Sequence, residues 1–336
     1  MKAAVLEAIN HPLALRDLET TSLQVGQVLV KVLVSGICGS QLHEIKGNKG
    51  NSKYLPHLMG HEGCGIVEEV GLGVTTVKIG EKVVMHWRPG AGIESPFPSY
   101  VLDGKFISSG KVTTLSEYAI VSENRVTGVP QDTPPELCAI LGCALTTAMG
   151  IIDNEVDLKF GESVAVIGCG GVGLNLIQAA ALKSAFPIYA IDSNSKKRDL
   201  CITAGASLFA ESTNNIEESV DVILETTGIP KVITDSISKL SGNGRIILVG
   251  QPDPGEMIEL INAVNLFTGK GQSIKATQGG RTNPAEDIPR YVRMHKEGLL
   301  DVIQFVTHRF RLNQINEAFD LLKSGNAGRI IIEIGV

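Results

Sequence analysis

The sequence predicts an α/β chain in two parts: a β-rich domain of barrel or sandwich type, then a doubly wound parallel sheet. Three observations lead there. The chain has 336 residues, and at ~150 residues per domain that is enough for two. Short Val/Ile runs broken by glycine-bearing turns fill about the first 140 residues. From about residue 160, strand-like runs alternate with helix-like ones, the pattern of βαβ units and a parallel sheet with right-handed crossovers.

The elements follow in order. QVLVKVLVSGI (27–37), CGIVEEVG (64–71) and EKVVMHW (81–87) read as strands, and no long helical period precedes residue 134. SVAVIG (163–168) is an apolar run of buried-strand length, and GVGLNLIQAAALKSA (171–185) is rich in good helix formers. PIYAID (187–192) is a strand, and NSKKRDLCITAG (194–205) is a helix with a polar N-cap and a glycine stop. VDVILE, a helix near 230–240, RIILVG (245–250) and QSIKAT (272–277) continue the alternation. The tail adds a helix (EDIPRYVRMHKEG), a strand (FVTHRF), a helix (INEAFDLLKSG) and a last strand (RIIIEI).

Composition narrows the function. Hydrophobic residues make up 43% and charged residues 20%, values that argue against disorder. The formal net charge is -6, with no basic patch to hold nucleic acid. No apolar run reaches the ~18 residues of a membrane span. The first residues, MKAAVLEAINHPLALRDLE, break their apolar stretch with Glu7, Asn10 and His11, unlike a signal peptide. A cytoplasmic protein with its six cysteines reduced is expected, without nucleic-acid or membrane partners.

Gly168-Cys169-Gly170-Gly171-Val172-Gly173 fits G-x-G-x-x-G between a predicted strand and a predicted helix. Gly168, Gly170, Gly171 and Gly173 would allow a tight turn, backbone approach to a pyrophosphate and close helix–strand packing, with Val172 on the first helical turn. The helix N-terminus would offer free N–H groups to the anion. Asp192 ends the next strand about 20 residues on, where a carboxylate binds ribose hydroxyls and repels a 2′-phosphate, favouring NAD(H) over NADP. Lys196 and Lys197 follow closely and read as the solvated face of a helix.

Cys38, Ser40 and His43 lie within SGICGSQLHE, His61 and Glu62 within GHEGCG, and Cys143 within LGCALTTAMG. No CxxC pair is present, so no zinc finger or ribbon is implied. Two thiolates and one imidazole would leave one tetrahedral position open, as in a catalytic zinc site. Taken singly, each of these residues reads equally as packed core.

Together the motifs resemble a known family. GHEGCGIVEEVGLGV (60–74), SGICGS (35–40), LGCALTTAMG (141–150) and VAVIGCGGVGLNLIQ (164–178) are similar, in order and over nearly the whole chain, to the zinc-containing alcohol dehydrogenase branch of the medium-chain dehydrogenase/reductase superfamily. The resemblance implies a GroES-like catalytic domain (1–145), a Rossmann NAD-binding domain (146–285) and a C-terminal segment (286–336) returning to the first. It implies one catalytic zinc on Cys38, His61 and Cys143, with Glu62 as the exchangeable fourth ligand. It implies a proton relay from Ser40 through the cofactor ribose to His43, Thr147 near the nicotinamide, and Arg329 reaching the pyrophosphate. The activity implied is hydride transfer between an alcohol and NAD, giving an aldehyde or ketone, by a homodimer or homotetramer joined through the QSIKAT edge. The alternatives are a zinc-free quinone or enone reductase, which would lack the Cys38/His61/Cys143 set, and a dinucleotide-binding protein without turnover.

The chain departs from the family pattern in four places. The region 87–110, where the family's structural zinc lobe supplies four cysteines, has none, so no second zinc is expected. Gly39 replaces an arginine that binds phosphate in some relatives. Trp87 falls near the family's substrate-pocket aromatic, and Arg88 beside it suggests a pocket for a polar, sugar-like or phosphorylated alcohol, because a guanidinium fork suits phosphate or carboxylate. Gln41 stands where the family usually has an aspartate bonded to the ligand histidine; glutamine can accept that N–H bond but adds no charge. Gln41→Asp is therefore expected to bind zinc more tightly than the natural chain in a chelator-competition titration; unchanged or weaker binding would refute the reading.

Overall fold

The computed structural model describes residues 1–261, 263–264 and 271–335. The chain divides into two compact units, one of Met1–Thr146 with Thr282–Val336 and one of Thr147–Arg281.

The main sheet of the first unit runs Val126–Val129, Lys82–His86, Glu62–Val70, Gln27–Ile37, Arg329–Glu333, Val306–Arg311, with Tyr118–Ser122 also paired to Gln27–Ile37. Its central strand, QVLVKVLVSGI, alternates valine with other residues over its first eight positions, a composition that suits a pleated surface. Val28, Val30 and Val32 pack with Val67, Val83, Met85 and Val121 in one core. Ile37, Ile330 and Ile332 pack with Ile315 and Phe319 of the helix Ile315–Ser324 in another. The last strand pairs antiparallel with the central one, Ile330 opposite Ile37, so the C-terminal segment is part of this sheet. Cys38 follows the central strand directly, His61 precedes the strand Glu62–Val70, and Arg329 opens the last strand. The order of three adjacent strands thus brings three distant stretches of sequence to one end of the sheet.

The second unit is a six-stranded sheet in the order Leu208–Ala210, Ile188–Ile191, Val164–Ile167, Val220–Glu225, Leu240–Leu248, Ser273–Ala276. All five pairings are parallel. This is the Rossmann order, in which the sequence of strands reverses between Val164–Ile167 and Val220–Glu225, the place where such sheets leave a ligand crevice at the carboxyl ends. The glycine loop leaves the strand Val164–Ile167 and opens the helix Gly171–Leu182. No single helix among the described residues is long and apolar enough to cross a membrane.

The cysteine-free stretch 87–110 is held by hydrogen bonds and ion pairs. Glu94 binds Lys111 at 2.7 Å and Arg125 at 3.0 Å, and accepts from Asn124 at 2.7 Å. Glu123, almost wholly buried, accepts the backbone N–H groups of Thr75, Thr76 and Ile93 at 2.6, 2.8 and 2.8 Å. Partial burial raises the Glu94 carboxyl, but Lys111, Asn124 and Arg125 outweigh it and hold it at about 2. A carboxylate depressed by folding adds stability above its unfolded pKa of ~4.3 and loses it as the pH falls toward the folded value. Glu94→Gln is expected to be less stable than the natural chain at pH 6, with the difference vanishing between pH 4.5 and 2. Urea denaturation across that range measures it; a constant difference would refute it.

Candidate functional site

Three glycines make the first site possible. Gly60 has φ of 105°, and a Cβ there would lie 2.5 Å from the Thr114 backbone nitrogen. A Cβ on Gly142 would meet the Met85 carbonyl at 2.4 Å and the Glu62 Cα at 2.8 Å. A Cβ on Gly36 would strike both Glu62 and Arg329, at 2.7 and 2.8 Å. Without side chains at these points, the helix Pro135–Leu141 and two strands close on each other and carry Cys143, His61 and Cys38 together. The Glu62 carbonyl is fixed by two hydroxyls, Ser35 Oγ at 3.1 Å and Thr114 Oγ1 at 3.0 Å.

The Cys38, His61 and Cys143 donor atoms all lie within 4.8 Å of one another. The Cys143 thiol hydrogen-bonds to Cys38 and holds it well below the usual thiol range; His61 adds to this, against the effect of burial. Cys143, donor to Cys38 and buried, is pushed well above that range. Burial pulls the His61 imidazole down, but its bond to Cys38 and that thiol's charge outweigh it and raise it. Two soft sulfurs and an imidazole nitrogen at this separation are the donor set and count of an open tetrahedral zinc site.

Glu62 is not among these converging donors. It is wholly buried, and its Oε1 is bonded to Arg329, itself 2% exposed. Burial raises the Glu62 carboxyl, opposed chiefly by Arg329. Burial would lower Arg329, but Glu62 outweighs it and holds the guanidinium protonated. Glu62 Oε2 and Arg329 Nε have no partner among the described residues. Arg329, expected at a pyrophosphate, is thus engaged by Glu62.

Ser40, Gln41 and His43 ride on the helix Gly39–Ile45, which starts directly after Cys38. His43 Nδ1 lies 3.4 Å from the Asn48 amide. Gln41 does not play the part expected of it. Its carbonyl accepts the Cys38 backbone N–H at 2.8 Å, fastening the first turn of the helix, and its buried Nε2 has no partner among the described residues. Arg88 lies 5.4 Å over the Trp87 ring, and its Nε donates to the Thr282 carbonyl at 3.2 Å. His86, buried and neutral with its imidazole pushed down to about 4 by burial, holds the same turn through the Arg88 carbonyl at 2.7 Å.

In the second unit, Gly168 has φ of 88°, and a Cβ on Gly173 would lie 2.0 Å from the Gly168 carbonyl. Nothing lies within 4 Å of a Cβ on Gly170, and the helix it precedes has no side-chain cap. The N–H groups of Gly171 and Val172 are thus on an uncapped first turn, an arrangement suited to a phosphate. Asp192 accepts the Cys169 N–H at 2.8 Å and so ties the glycine loop to the next strand. Lys197 corrects the expectation of a solvated face: it is buried and paired with Asp192 at 2.9 Å. Thr147 is buried in the helix Ala144–Gly150.

Sequence reasoning passed over the turn after the strand Val220–Glu225. Thr226 Oγ1 donates to the Gly168 carbonyl at 2.7 Å, and buried Glu225 accepts the N–H groups of Thr227 and Gly228 at 2.7 and 3.1 Å. A Cβ on Gly250 would lie 2.1 Å from the Gly228 nitrogen. The signal available was Glu-Thr-Thr-Gly at the end of a predicted strand.

Comparison with known proteins points to one family. The sequence signature described as the alcohol dehydrogenase GroES-like domain matches residues 24–131, and that described as zinc-binding dehydrogenase matches residues 171–297. The S-(hydroxymethyl)glutathione dehydrogenase of Escherichia coli O139:H28 is 30% identical, with 98% of this chain and 99% of that protein aligned. The NDMA-dependent alcohol dehydrogenase of Amycolatopsis methanolica is 28% identical, with 98% of each covered. Benzyl alcohol dehydrogenase from Acinetobacter calcoaceticus superposes with a TM-score of 0.88 at 26% identity, over 99% of both chains. An alcohol dehydrogenase zinc-binding domain protein from Burkholderia ambifaria gives 0.90 at 27%, over 99% of this chain and 98% of that one.

Removing one partner of a fully buried ion pair strands the other charge, at a cost of about 3–5 kcal/mol. Arg329→Met is expected to lose stability on that scale, and Glu62→Gln/Arg329→Met to recover part of it. Denaturant unfolding of both variants tests this; a double variant no more stable than Arg329→Met would refute it.

Proposed function

Since the chain belongs to the zinc-type alcohol dehydrogenases of the medium-chain dehydrogenase/reductase superfamily, and is therefore an oxidoreductase, we propose that it moves a hydride between a primary or secondary alcohol and NAD, giving an aldehyde or ketone. The observation that carries this reading is the convergence of Cys38, His61 and Cys143 within 4.8 Å. These three residues would hold one zinc per chain, with Glu62 as an occasional fourth ligand. Bound zinc supplies Lewis acidity to an alcohol or carbonyl oxygen. NAD supplies the hydride acceptor.

The chain's own residues do the rest. The Cys143 thiol, with His61, favours loss of the Cys38 proton, which metal ligation requires. Ser40 would take the alcohol proton at its hydroxyl, and His43 would pass a proton on to water. Gly168, Gly170, Gly171, Val172 and Gly173 bind the pyrophosphate on the open helix turn. Asp192 holds the adenosine ribose. Its carboxylate disfavours a 2′-phosphate, although Lys197 neutralises part of that charge. Thr147 would help to hold the nicotinamide, and Trp87 would border the substrate. Arg329 reaches the pyrophosphate only if it leaves Glu62, so the two roles are linked.

We read the protein as cytoplasmic and as a homodimer or homotetramer. Ser273–Ala276 is the outermost strand of its sheet and leaves Ile274 exposed, which supports pairing along that edge.

The test is metal analysis combined with NADH formation across alcohols, polyols, sugar phosphates and thiol–formaldehyde adducts. Zinc near one per chain is expected, with turnover lost on chelation. Cys143→Ala should lose the metal and more than about a hundredfold in rate, beyond what outer residues of a metal site contribute. Turnover unaffected by chelation, or full activity in Cys143→Ala, would overturn the proposal.

A further inference from the structure

The peptide that opens the glycine loop is held on both sides. Thr226 Oγ1 donates to the Gly168 carbonyl at 2.7 Å, and the Cys169 N–H donates to Asp192 Oδ2 at 2.8 Å. Both groups belong to the one peptide between Gly168 and Cys169, and in a trans peptide they point to opposite sides. A rigid plane is therefore strung between a hydroxyl on the turn after Val220–Glu225 and a carboxylate directly after Ile188–Ile191. Lys197 extends the chain of bonds, donating to the same Asp192 oxygen at 2.9 Å. Linked hydrogen bonds of this kind polarise and strengthen one another.

The turn that carries Thr226 is itself fixed. The Thr226 N–H donates to the Ile167 carbonyl at 2.8 Å, which ties the turn to the strand that feeds the loop. Behind it, a Cβ on Gly250 would lie 2.7 Å from the carbonyl carbons of both Thr226 and Thr227. Buried Glu225 holds the Thr227 and Gly228 amides through its side chain, and its carbonyl accepts those of Val249 and Gly250 at 2.7 and 2.9 Å. On the other side of the loop, Asp192 Oδ1 accepts the Asn194 N–H at 3.0 Å. Gly168, with φ of 88°, is the soft point between these two supports. Glycine has backbone wells on both sides of φ, so the residue by itself sets no direction for its carbonyl. The loop beyond it is open, with nothing within 4 Å of a Cβ on Gly170. The direction of the amides that follow is therefore inherited from the peptide that Thr226 and Asp192 hold.

We propose that Thr226 is a positioning residue for the dinucleotide: its hydroxyl, through the Gly168 carbonyl, sets the glycine loop in the shape that receives a pyrophosphate before the cofactor arrives. The inference rests on the dinucleotide reading above. Loss of the hydroxyl takes the donor from the carbonyl and lets the loop populate other shapes. The apparent Kd of a ligand then rises by the factor by which the receptive population falls. The probes are NADH, ADP-ribose and adenosine, the last with a ribose but no phosphate, each titrated by calorimetry into the full zinc-loaded chain. Thr226→Val, close in shape but without the hydroxyl, should weaken NADH and ADP-ribose about tenfold, the scale of one acceptor left unpaired, with adenosine unchanged within about twofold. Thr226→Ser keeps the donor and should bind all three within about twofold of the natural chain. Should Thr226→Val not fold, Thr226→Cys, with a weaker donor, takes its place, and the same two ligands should lose affinity. Unchanged affinity for NADH and ADP-ribose overturns the proposal, whatever happens to stability. So does an equal loss on adenosine, which marks a general distortion of the unit, or a loss in Thr226→Ser as large as in Thr226→Val. If the natural chain binds neither NADH nor ADP-ribose, the dinucleotide reading fails and the role of Thr226 falls with it; if it binds both and Thr226→Val binds them as well, Thr226 alone is refuted.

Discussion

The ligand end of the first sheet depends on a charge pair sealed from water. Glu62 follows His61 directly, and Arg329 opens the last strand, 267 residues away in sequence. Neither charge is tolerable alone at that depth, so each enforces the other. A single contact therefore fixes the backbone beside His61 and draws the C-terminal strand into the sheet next to Cys38. Ile330 opposite Ile37 and Ser35 opposite Gly63 are the registers through which this reaches the ligands. The pair also has a consequence for chemistry. A carboxylate engaged by an arginine is a weaker candidate for a metal than a thiolate, and only Glu62 Oε2 is left without a partner among the described residues.

The same end of the sheet is built by omission. Gly36, Gly60 and Gly142 each sit where any β-carbon would overlap neighbouring atoms. Close approach is what makes three unremarkable segments into one donor cluster. The second unit uses the device again: Gly168, Gly173, Gly228 and Gly250 let three loops interlock at the carboxyl edge of the parallel sheet, with buried Glu225 gathering the amides of one of them. In both units glycine sets the distance and a buried carboxylate sets the direction.

Much of this was legible in the sequence because it is written in local patterns. The alternation from Val164 onward and the glycine loop declare a parallel sheet with a glycine-rich strand-to-helix turn. Cys38, His61 and Cys143 lie in short motifs that resemble a family. What the sequence hid are relations between distant residues. Lys197 looks like a solvated helix residue until the fold turns it onto Asp192. Gln41 looks like an acceptor for His61, yet its carbonyl serves the Cys38 amide. Arg88 looks free, yet stacks on Trp87. Long polar side chains have several partners within reach, and only the tertiary structure decides among them.

The region without cysteines shows how a staple can change its chemistry while keeping its job. Glu94 joins Lys111, Arg125 and Asn124, and Glu123 collects three backbone amides from two loops. Four thiolates on a zinc would hold such a segment irrespective of mild acid but would fail under chelation or oxidation. Carboxylates answer to neither, and yield instead to protons. The resemblance to zinc enzymes therefore carries a division within this one domain. Its ligand end gathers two thiols and an imidazole, while its lobe is joined by ion pairs and hydrogen bonds. Acid would act on the lobe through Glu94 and Glu123, whose carboxyls are held low by the groups they join.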